Sequence, residues 1–497
     1  MTMMPAYSLN PGVQNAVRWL ARLDRDRALR NISLAKFDAY YRGDHNLMFA
    51  TAKFREAFSG LFTEFADNWC ALVVDAVEER LNVEGFRFPK DQTGERKAWE
   101  IWQANNLDAE SNLAHTEALI NGLSYALVWP SDGKHPTITV EDPQQMIVAH
   151  QPGQRRQRLA ALKVWLDESG RLFGTLYLPD GVWKFQARST IQSGGSNAWW
   201  GSQDPTIDGG QQALTDIALR QFQSFWQPRE VPGEPWPLPN PLGCVPVVAL
   251  YNAPRLRTGG QSELRNVIPM QDAANKLVAD MLIASEFAAF RQRWATGLEI
   301  PTDPDTEQPL DTFEHAINRL WASPDSSTQF GDFQASDLSN YTKAIELVVQ
   351  HIASQSRTPP HYFYLSGQFP SGESIKSAEA GLVSKALRRT RHFGEAWEEV
   401  MRLALCASGD KKRADVVAME TVWGDVEYRT ESLHVDATVK LRALEVPLPA
   451  LWERVGFSPT EIERFQEMRA EEKAMGLNTE LIDAQDTVTM KPPTVKI

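Results

Sequence analysis

Apolar residues spaced three and four positions apart predict three helices between residues 262 and 407. The first has an apolar face made of Val267, Ile268, Ala274, Leu277, Val278, Met281, Leu282 and Ala288. The second has Tyr341, Ala344, Ile345, Val348 and Ile352 on one face, and Pro359-Pro360 ends it. The third starts near Ile375 and continues to about Ala407. These three helices and the segments between them dominate the second half of the chain.

The first 260 residues combine helices with strands. Apolar spacing predicts helices at residues 13–42, 61–82 and 96–121, and the polar side of the first is rich in Arg, which we interpret as a solvated face. From Ser124 to Phe185, short apolar runs separated by Gly, Pro and Asp-Gly turns predict antiparallel strands. Residues 186–220 are rich in Gly, Ser, Asn and Gln and form a loop or an insertion. An α+β domain is therefore expected.

An acidic, Pro-punctuated segment separates the first two of the three central helices. Its carboxylates include Glu299, Asp303, Asp305, Glu307, Asp311 and Glu314. They lack EF-hand spacing and have no paired His, so the pattern does not predict a metal site. We expect an insertion between two helices to be displayed at one end of a subunit.

A short loop precedes the third helix. Its residues are Ser366, Gly367, Gln368, Phe369, Pro370, Ser371 and Gly372. The loop is anchored at both ends, by Pro359-Pro360 and by the capped start of the next helix, and it has no helical or strand period. Its middle can therefore shift without unfolding its supports.

The third helix carries an excess of basic residues. Lys376, Lys385, Arg388 and Arg389 lie in its first half. Two interpretations remain open, namely a solvated helix face and a surface that contacts DNA or a neighbouring subunit. After this helix, residues 409–430 suggest strands, and residues 431–446, 448–455 and 458–475 suggest helices. The tail from Gly476 has little periodicity, and we expect it to be mobile.

Composition excludes several function classes. The 497-residue chain has a formal charge of −13, which argues against a protein that grips nucleic acid over its whole surface. Its three Cys are far apart, so neither a disulfide scaffold nor a CxxC metal site is expected. We also expect no signal peptide and no membrane span. Phosphate-loop, dinucleotide-binding, zinc-protease and nucleophile-elbow motifs are lacking, so we predict no cofactor, no metal and no catalytic residue.

Four stretches in their order resemble the portal protein of tailed bacteriophages, in the form found in siphophages of Gram-positive and actinobacterial hosts. They are YYRGDHNL (40–47), NWCALVVDAVEERLNVEGF (68–86), the stem-like helix ending near Arg293, and PPHYFYLSGQFPSGESIKSAEAGLVSKA (359–386). The resemblance extends over nearly the whole chain. It implies a portal fold, which is α+β and mainly helical, with small antiparallel sheets.

The resemblance implies a name for each segment. These are an α+β wing (1–260), a first stem helix (261–293), a clip (294–334), a second stem helix (335–357), a tunnel loop (358–373), a long wing helix (374–408), wing strands (409–430), crown helices (431–475) and a tail (476–497). It also implies that residues Ser366 to Gly372 line a DNA channel and that the acidic clip residues bind partner proteins.

The implied function is structural. Portal subunits form a ring, with twelve copies in the virion, at one capsid vertex. A terminase motor drives double-stranded DNA through this ring without sequence specificity, and head–tail adaptors attach to it. Further implied partners are the major capsid and scaffold proteins, with assembly in the host cytoplasm. The alternative is a nucleic-acid-processing enzyme with an unrecognised site in residues 124–250.

Overall fold

The structure is a computed structural model. In it, the long segments with helical apolar spacing form helices, and the short apolar runs form antiparallel strands. The structure describes residues 11–44, 67–88, 96–190, 225–256, 259–289, 293–297, 327–332, 337–363, 372–427, 431–455, 457 and 459–474. The described chain is α+β, as predicted. It divides into two compact units, the first from residues within 1–38, 74–263 and 380–497, and the second from residues within 39–73 and 264–379.

The helices are, in chain order, α1 (Pro11–Arg42), α2 (Trp69–Glu78), α3 (Arg96–Ala104), α4 (Leu107–Asn121), α5 (Ile268–Ala289), α6 (Ser339–Ser356), α7 (Gly372–Ala407), α8 (Lys411–Ala414), α9 (Glu431–Arg442), α10 (Leu448–Val455) and α11 (Pro459–Ala474). Short 3-10 helices lie at Glu263–Asn266 and Pro360–Tyr362. None of the helices that the structure describes has the length and apolar character needed to cross a membrane.

The strands are β1 (Val83–Arg87), β2 (Leu123–Trp129), β3 (Thr137–Glu141), β4 (Met146–Gln151), β5 (Gln154–Leu166), β6 (Arg171–Tyr177), β7 (Gly181–Thr190), β8 (Trp226–Pro228), β9 (Leu238–Pro239), β10 (Val247–Tyr251), β11 (Arg293–Thr296), β12 (Gln329–Asp332) and β13 (Glu420–Trp423). The largest sheet has the order β4-β5-β6-β7-β8, with β9 also paired to β7. A second sheet has the order β10-β2-β3, and β1 pairs with β13. All these pairings are antiparallel.

The largest sheet is covered on both faces, and this explains why β5 is apolar at consecutive positions. Ala160 and Leu162 belong to the same core cluster as Val17 and Leu20 of α1. Ala161, which points the opposite way along the strand, belongs to a second cluster with residues of β2 and β10. Helix α1 and the smaller sheet thus sandwich the larger sheet within the first unit.

Helices α3, α4 and α7 meet in an aromatic core of the first unit. The Trp102 ring contacts Trp397 edge-on at a centroid distance of 5.0 Å, and the His115 ring stacks on Phe393 at 5.1 Å. Trp397 Nε1 donates a hydrogen bond of 2.9 Å to His115 Nε2. His115 is fully buried, and burial lowers its pKa to about 3, so the ring is neutral and accepts this bond.

In the second unit, α5 packs against α6, and β11 pairs with β12. Buried polar side chains of α5 hold the end of α1 and the segment that enters α2. Tyr40 Oη donates a 2.6 Å bond to Asp272, the Trp69 amide donates a 2.9 Å bond to Gln271 Oε1, and the Asp67 amide donates to the Asn275 side chain. Because each of these polar atoms is paired, the network is compatible with its burial.

Several sequence-based boundaries require correction. The helix predicted at 96–121 is broken, because Asn106 adopts a left-handed backbone with φ of 53° between α3 and α4. The helix expected to end near Arg293 ends at Ala289, and Arg293 begins β11. Within the described part of 409–430, one strand is accompanied by the short helix α8.

The Arg-rich side of α1 is only partly solvated. Arg27 and Arg30 are half-buried and donate to backbone carbonyls of the β3–β4 turn, with Arg30 bound to Met146 O at 2.6 Å. The Arg30 guanidinium also lies over the Tyr125 ring, 5.8 Å from its centroid. These two arginines therefore attach α1 to the sheets, whereas Arg22 and Arg25 are exposed.

Candidate functional site

The residues predicted to line the channel and the clip residues predicted to bind partners lie outside the described residues, with one exception. Ser366, Gly367, Gln368, Phe369, Pro370 and Ser371 are outside, as are Glu299, Asp303, Asp305, Glu307, Asp311 and Glu314. Gly372 is described as the first residue of α7. The structure therefore shows the supports of these two segments and leaves their roles as predictions.

The support before residues 366–372 is a turn in the second unit. Arg357 caps α6 in a left-handed conformation, and its amide bonds to the carbonyls of the last helical turn. Phe363 is buried and packs on Trp69 with a ring-centroid distance of 5.5 Å. His361 Nε2 of this turn lies 3.6 Å from Glu379 Oε1 of α7. The chain is thus held on both sides of the segment.

The described part of the clip includes the β11–β12 pair. Arg293 pairs with Asp332, and Thr296 pairs with Gln329. The chain therefore leaves and returns through adjacent antiparallel strands, which supports the expectation that the intervening acidic segment is an insertion displayed at one extremity.

The basic half of α7 contains a buried ion-pair cluster, formed by Glu263, Lys385 and Arg389. Lys385 Nζ lies 2.8 Å from Glu263 Oε2, and Arg389 Nε donates a 3.1 Å bond to Glu263 Oε1. Asn252 Nδ2 donates to the same carboxylate at 3.0 Å. The side chains of Glu263 and Lys385 are only 9% and 6% exposed, so the cluster belongs to the interior of the first unit.

Electrostatics favour the charged form of Glu263. Burial alone would raise its pKa, but the adjacent Lys385 and Arg389 outweigh burial and lower the pKa to about 2. Buried charges are tolerated when they are paired and hydrogen-bonded, which is the case for this carboxylate. The cluster attaches α7 to the 3-10 helix that precedes α5.

This geometry corrects the contact prediction for two of the four basic residues. Lys385 and Arg389 direct their charges to Glu263 and are buried, so neither offers a cation on the surface of the subunit. Arg388 is exposed, and for it the contact stays a prediction. Lys376 lies in α7, but its side chain is not among those described.

A second charged group on α7 was not predicted from the sequence. Arg158 of β5 donates a 2.8 Å bond to Glu399 and a 3.1 Å bond to the Val245 carbonyl. Arg402 Nη2 donates to the other oxygen of Glu399 at 3.0 Å. The spacing of Glu399 and Arg402 on one helix face was the available signal, but it does not identify Arg158 as the partner.

Catalytic and metal chemistry find no support in the described residues. Among them, no group of three or more His, Cys, Asp or Glu side chains could hold a metal ion. The described part of residues 124–250 forms the two sheets and their connections, with apolar side chains between them. The described part of residues 124–250 therefore does not support the alternative of an enzyme.

Comparison with known proteins gives a family match over most of the chain. Residues 20–475 match the profile of the family described as "Phage portal protein, SPP1 Gp6-like". The chain is 31% identical to the portal protein of Mycobacterium phage D29 over 446 residues, and this alignment covers 85% of this chain and 82% of the relative. It is also 31% identical over 444 residues to the portal protein of Mycobacterium phage L5, with the same coverage.

Proposed function

Because the chain belongs to the SPP1 Gp6-like phage portal protein family, we propose that it forms the ring at one vertex of a tailed-phage capsid through which DNA is packaged and released. The observation that carries this proposal is the family match over residues 20–475, which includes parts of both compact units. The role is structural, and the energy for packaging comes from a separate terminase motor. The protein is then a component of the virion, assembled in the host cytoplasm.

A ring requires contacts between copies. Exposed leucines on the three central helices support such contacts, since Leu282 of α5, Leu347 of α6 and Leu387 of α7 are 38%, 55% and 45% exposed in the single subunit. Head-to-tail contacts that close generate a ring. We propose twelve copies in the virion, with a combined mass of about 671 kDa from subunits of 55.9 kDa.

The segment names implied by the resemblance belong to this proposal. Strands β1 to β10 and β13 and helices α1 to α4 form the wing, α5 and α6 the stem, α7 the long wing helix, and α9 to α11 the crown. The clip (294–334) contacts the terminase large subunit and later the head–tail adaptor. The major capsid and scaffold proteins contact the same ring.

The clip assignment predicts a selective loss of partner binding. Replacing residues 299–326 with a short Gly/Ser linker should abolish binding of the motor and the adaptor, because the acidic surface is removed while β11 and β12 can still pair. Pull-down with each purified partner measures this, and the circular dichroism spectrum checks the fold. Packaging and tail joining at wild-type levels would contradict the assignment.

The tunnel-loop assignment predicts a defect after assembly. Deleting Ser366 to Pro370 should leave rings and their incorporation into procapsids intact, since the supports at Phe363 and α7 are retained. Uncharged loop residues can touch phosphates without the counterion-release affinity that would arrest sliding, so their loss should impair packaging or retention of DNA. Nuclease-protected DNA measures the effect. Failure to form rings would identify the loop as an assembly contact.

The function itself is tested by reconstitution. Heads assembled with this protein, incubated with the cognate terminase and ATP, should protect genome-length DNA from nuclease, whereas heads assembled without it should protect none. Equal protection without the protein would contradict the proposed function.

A further inference from the structure

The β4–β5 hairpin ends in an exposed turn. Gln151 pairs with Gln154 across Pro152-Gly153, and Gly153 has a φ of +81°. A Cβ built on Gly153 would meet no heavy atom within 4 Å, and residues 151–157 are all exposed. The tip of this hairpin therefore projects from the first unit.

The strand register next to this turn is interrupted. Moving away from the turn, the next pair after Gln151–Gln154 is His150–Arg158, which lies one residue further along β4 but four residues further along β5. Residues 155–157 thus have no partner on β4 and form a bulge. Arg155 and Arg156 lie in this bulge.

The base of the hairpin is fixed by Arg158. Its guanidinium bridges the Val245 carbonyl and Glu399, and Glu399 also binds Arg402. The charge of Glu399 is thereby already paired. The bulge is consequently presented from a rigid base, which limits the entropy lost when a ligand binds to it.

The charge of the bulge is not neutralised locally. Residues 146–163 contain no Asp or Glu, in a chain with a formal charge of −13. Within the part of the chain that the structure describes, the side chains of Arg155 and Arg156 make no hydrogen bond and no ion pair. Adjacent exposed guanidinium groups favour oxyanions, phosphate among them, because they bind these with forked hydrogen bonds.

We propose that the Arg155–Arg156 bulge, whose residues are not those of the tunnel loop, binds the phosphate backbone of double-stranded DNA. The neighbouring Gln151, Gln154 and Gln157 supply neutral donors of the kind that also contact phosphates. The two cations of this short bulge contact phosphates and no base edges, so we expect binding that does not depend on the DNA sequence. The choice of DNA as the polyanion rests on the function proposed above.

The test compares two double variants of the full-length protein. The pair R155Q/R156Q removes the two bulge cations, and the matched control K411Q/K412Q removes two adjacent exposed cations of α8 with the same change in net charge. Binding of a fluorescent 30-base-pair duplex is measured by anisotropy from about 50 to 200 mM salt, the range over which counterion release is large. Mass photometry of each sample reports its oligomeric state.

Wild type and K411Q/K412Q should bind alike, and R155Q/R156Q should bind about tenfold more weakly at the lowest salt. Two lost phosphate contacts should reduce the slope of log K against log salt by about 2 per contacting subunit, so the difference should nearly vanish at the highest salt. Equal binding by all three proteins, or no binding by wild type, would overturn the proposal. A change in oligomeric mass of R155Q/R156Q without a change in DNA binding would also overturn it and identify the bulge as a protein contact. The mass measured for wild type tests the ring independently of the DNA result.

Discussion

Glu263 is the residue on which the buried cluster of α7 depends, and the substitution Glu263→Gln tests this. The glutamine is isosteric, but it leaves the buried cations Lys385 and Arg389 without their counter-charge. Removing one partner of a buried ion pair typically costs about 3–5 kcal/mol. Lys385→Met should cost less, because Arg389 and Asn252 still satisfy the carboxylate.

The pKa of Glu263 also bears on how much the charged carboxylate stabilises the folded protein. The folded-state pKa of about 2 lies below the ordinary value of 4.5. A difference of this size corresponds to about 3–4 kcal/mol at about 1.4 kcal/mol per pKa unit. Because the folded pKa is depressed, the stabilisation is fully present above pH 4.5 and is lost as the pH falls through 2.

Hydrogen-exchange mass spectrometry is the suitable assay, because a large protein with two compact units need not unfold in one step. Peptides from the first turns after residue 380 and from residues 259–266 should exchange faster in Glu263→Gln at pH 7. Glu168→Gln, at an exposed turn position, is the matched control and should exchange like wild type. Exchange in Glu263→Gln that matches wild type within about 1 kcal/mol would refute the assigned role of the cluster.

Two further predictions concern the core of the first unit. Gly260→Ala should prevent correct folding, because its Cβ would overlap the Gly122 carbonyl oxygen. The control Gly133→Ala should be tolerated, because the nearest neighbour of its Cβ is a flexible Ser side chain. Soluble yield and urea unfolding compare the two variants. His115→Leu should cost about 1–3 kcal/mol at pH 7, because Trp397 Nε1 loses its acceptor. The pKa of His115 is lowered to about 3, so wild-type stability should fall as the pH decreases below 6.5 towards 3. The variant should lack this part of the pH dependence. An unchanged slope of its urea midpoints against pH would contradict the assignment.

Periodicity was sufficient to predict the central helices. The apolar faces of α5, α6 and α7 repeat over many turns, and for such long amphipathic segments local pattern and tertiary packing agree. The α+β character of the first part was also predictable, because the turns between strands carry Gly, Pro and Asp-Gly. The break at Asn106 was missed because Asn occurs in helices as well as in left-handed turns, and the sequence alone does not choose between them.

Charge partners were the least predictable feature. Lys385 and Arg389 belong to a basic run that is typical of a solvated face or a contact surface, and their partner Glu263 lies more than 120 residues away in the sequence. The same holds for Arg158 and Glu399, which are 241 positions apart. Spacing reveals pairs one helical turn apart, whereas pairs made by tertiary packing leave no local pattern.

The central claim is that copies of this chain close into a ring. Cryo-electron microscopy of the purified full-length protein, viewed down the particle axis and combined with mass photometry, tests it most directly. We predict closed rings with a central channel and a mass near 671 kDa, the value for twelve subunits of 55.9 kDa, and rings with one subunit more or fewer would agree equally well. A stable monomer or dimer at high protein concentration and moderate salt would contradict the claim.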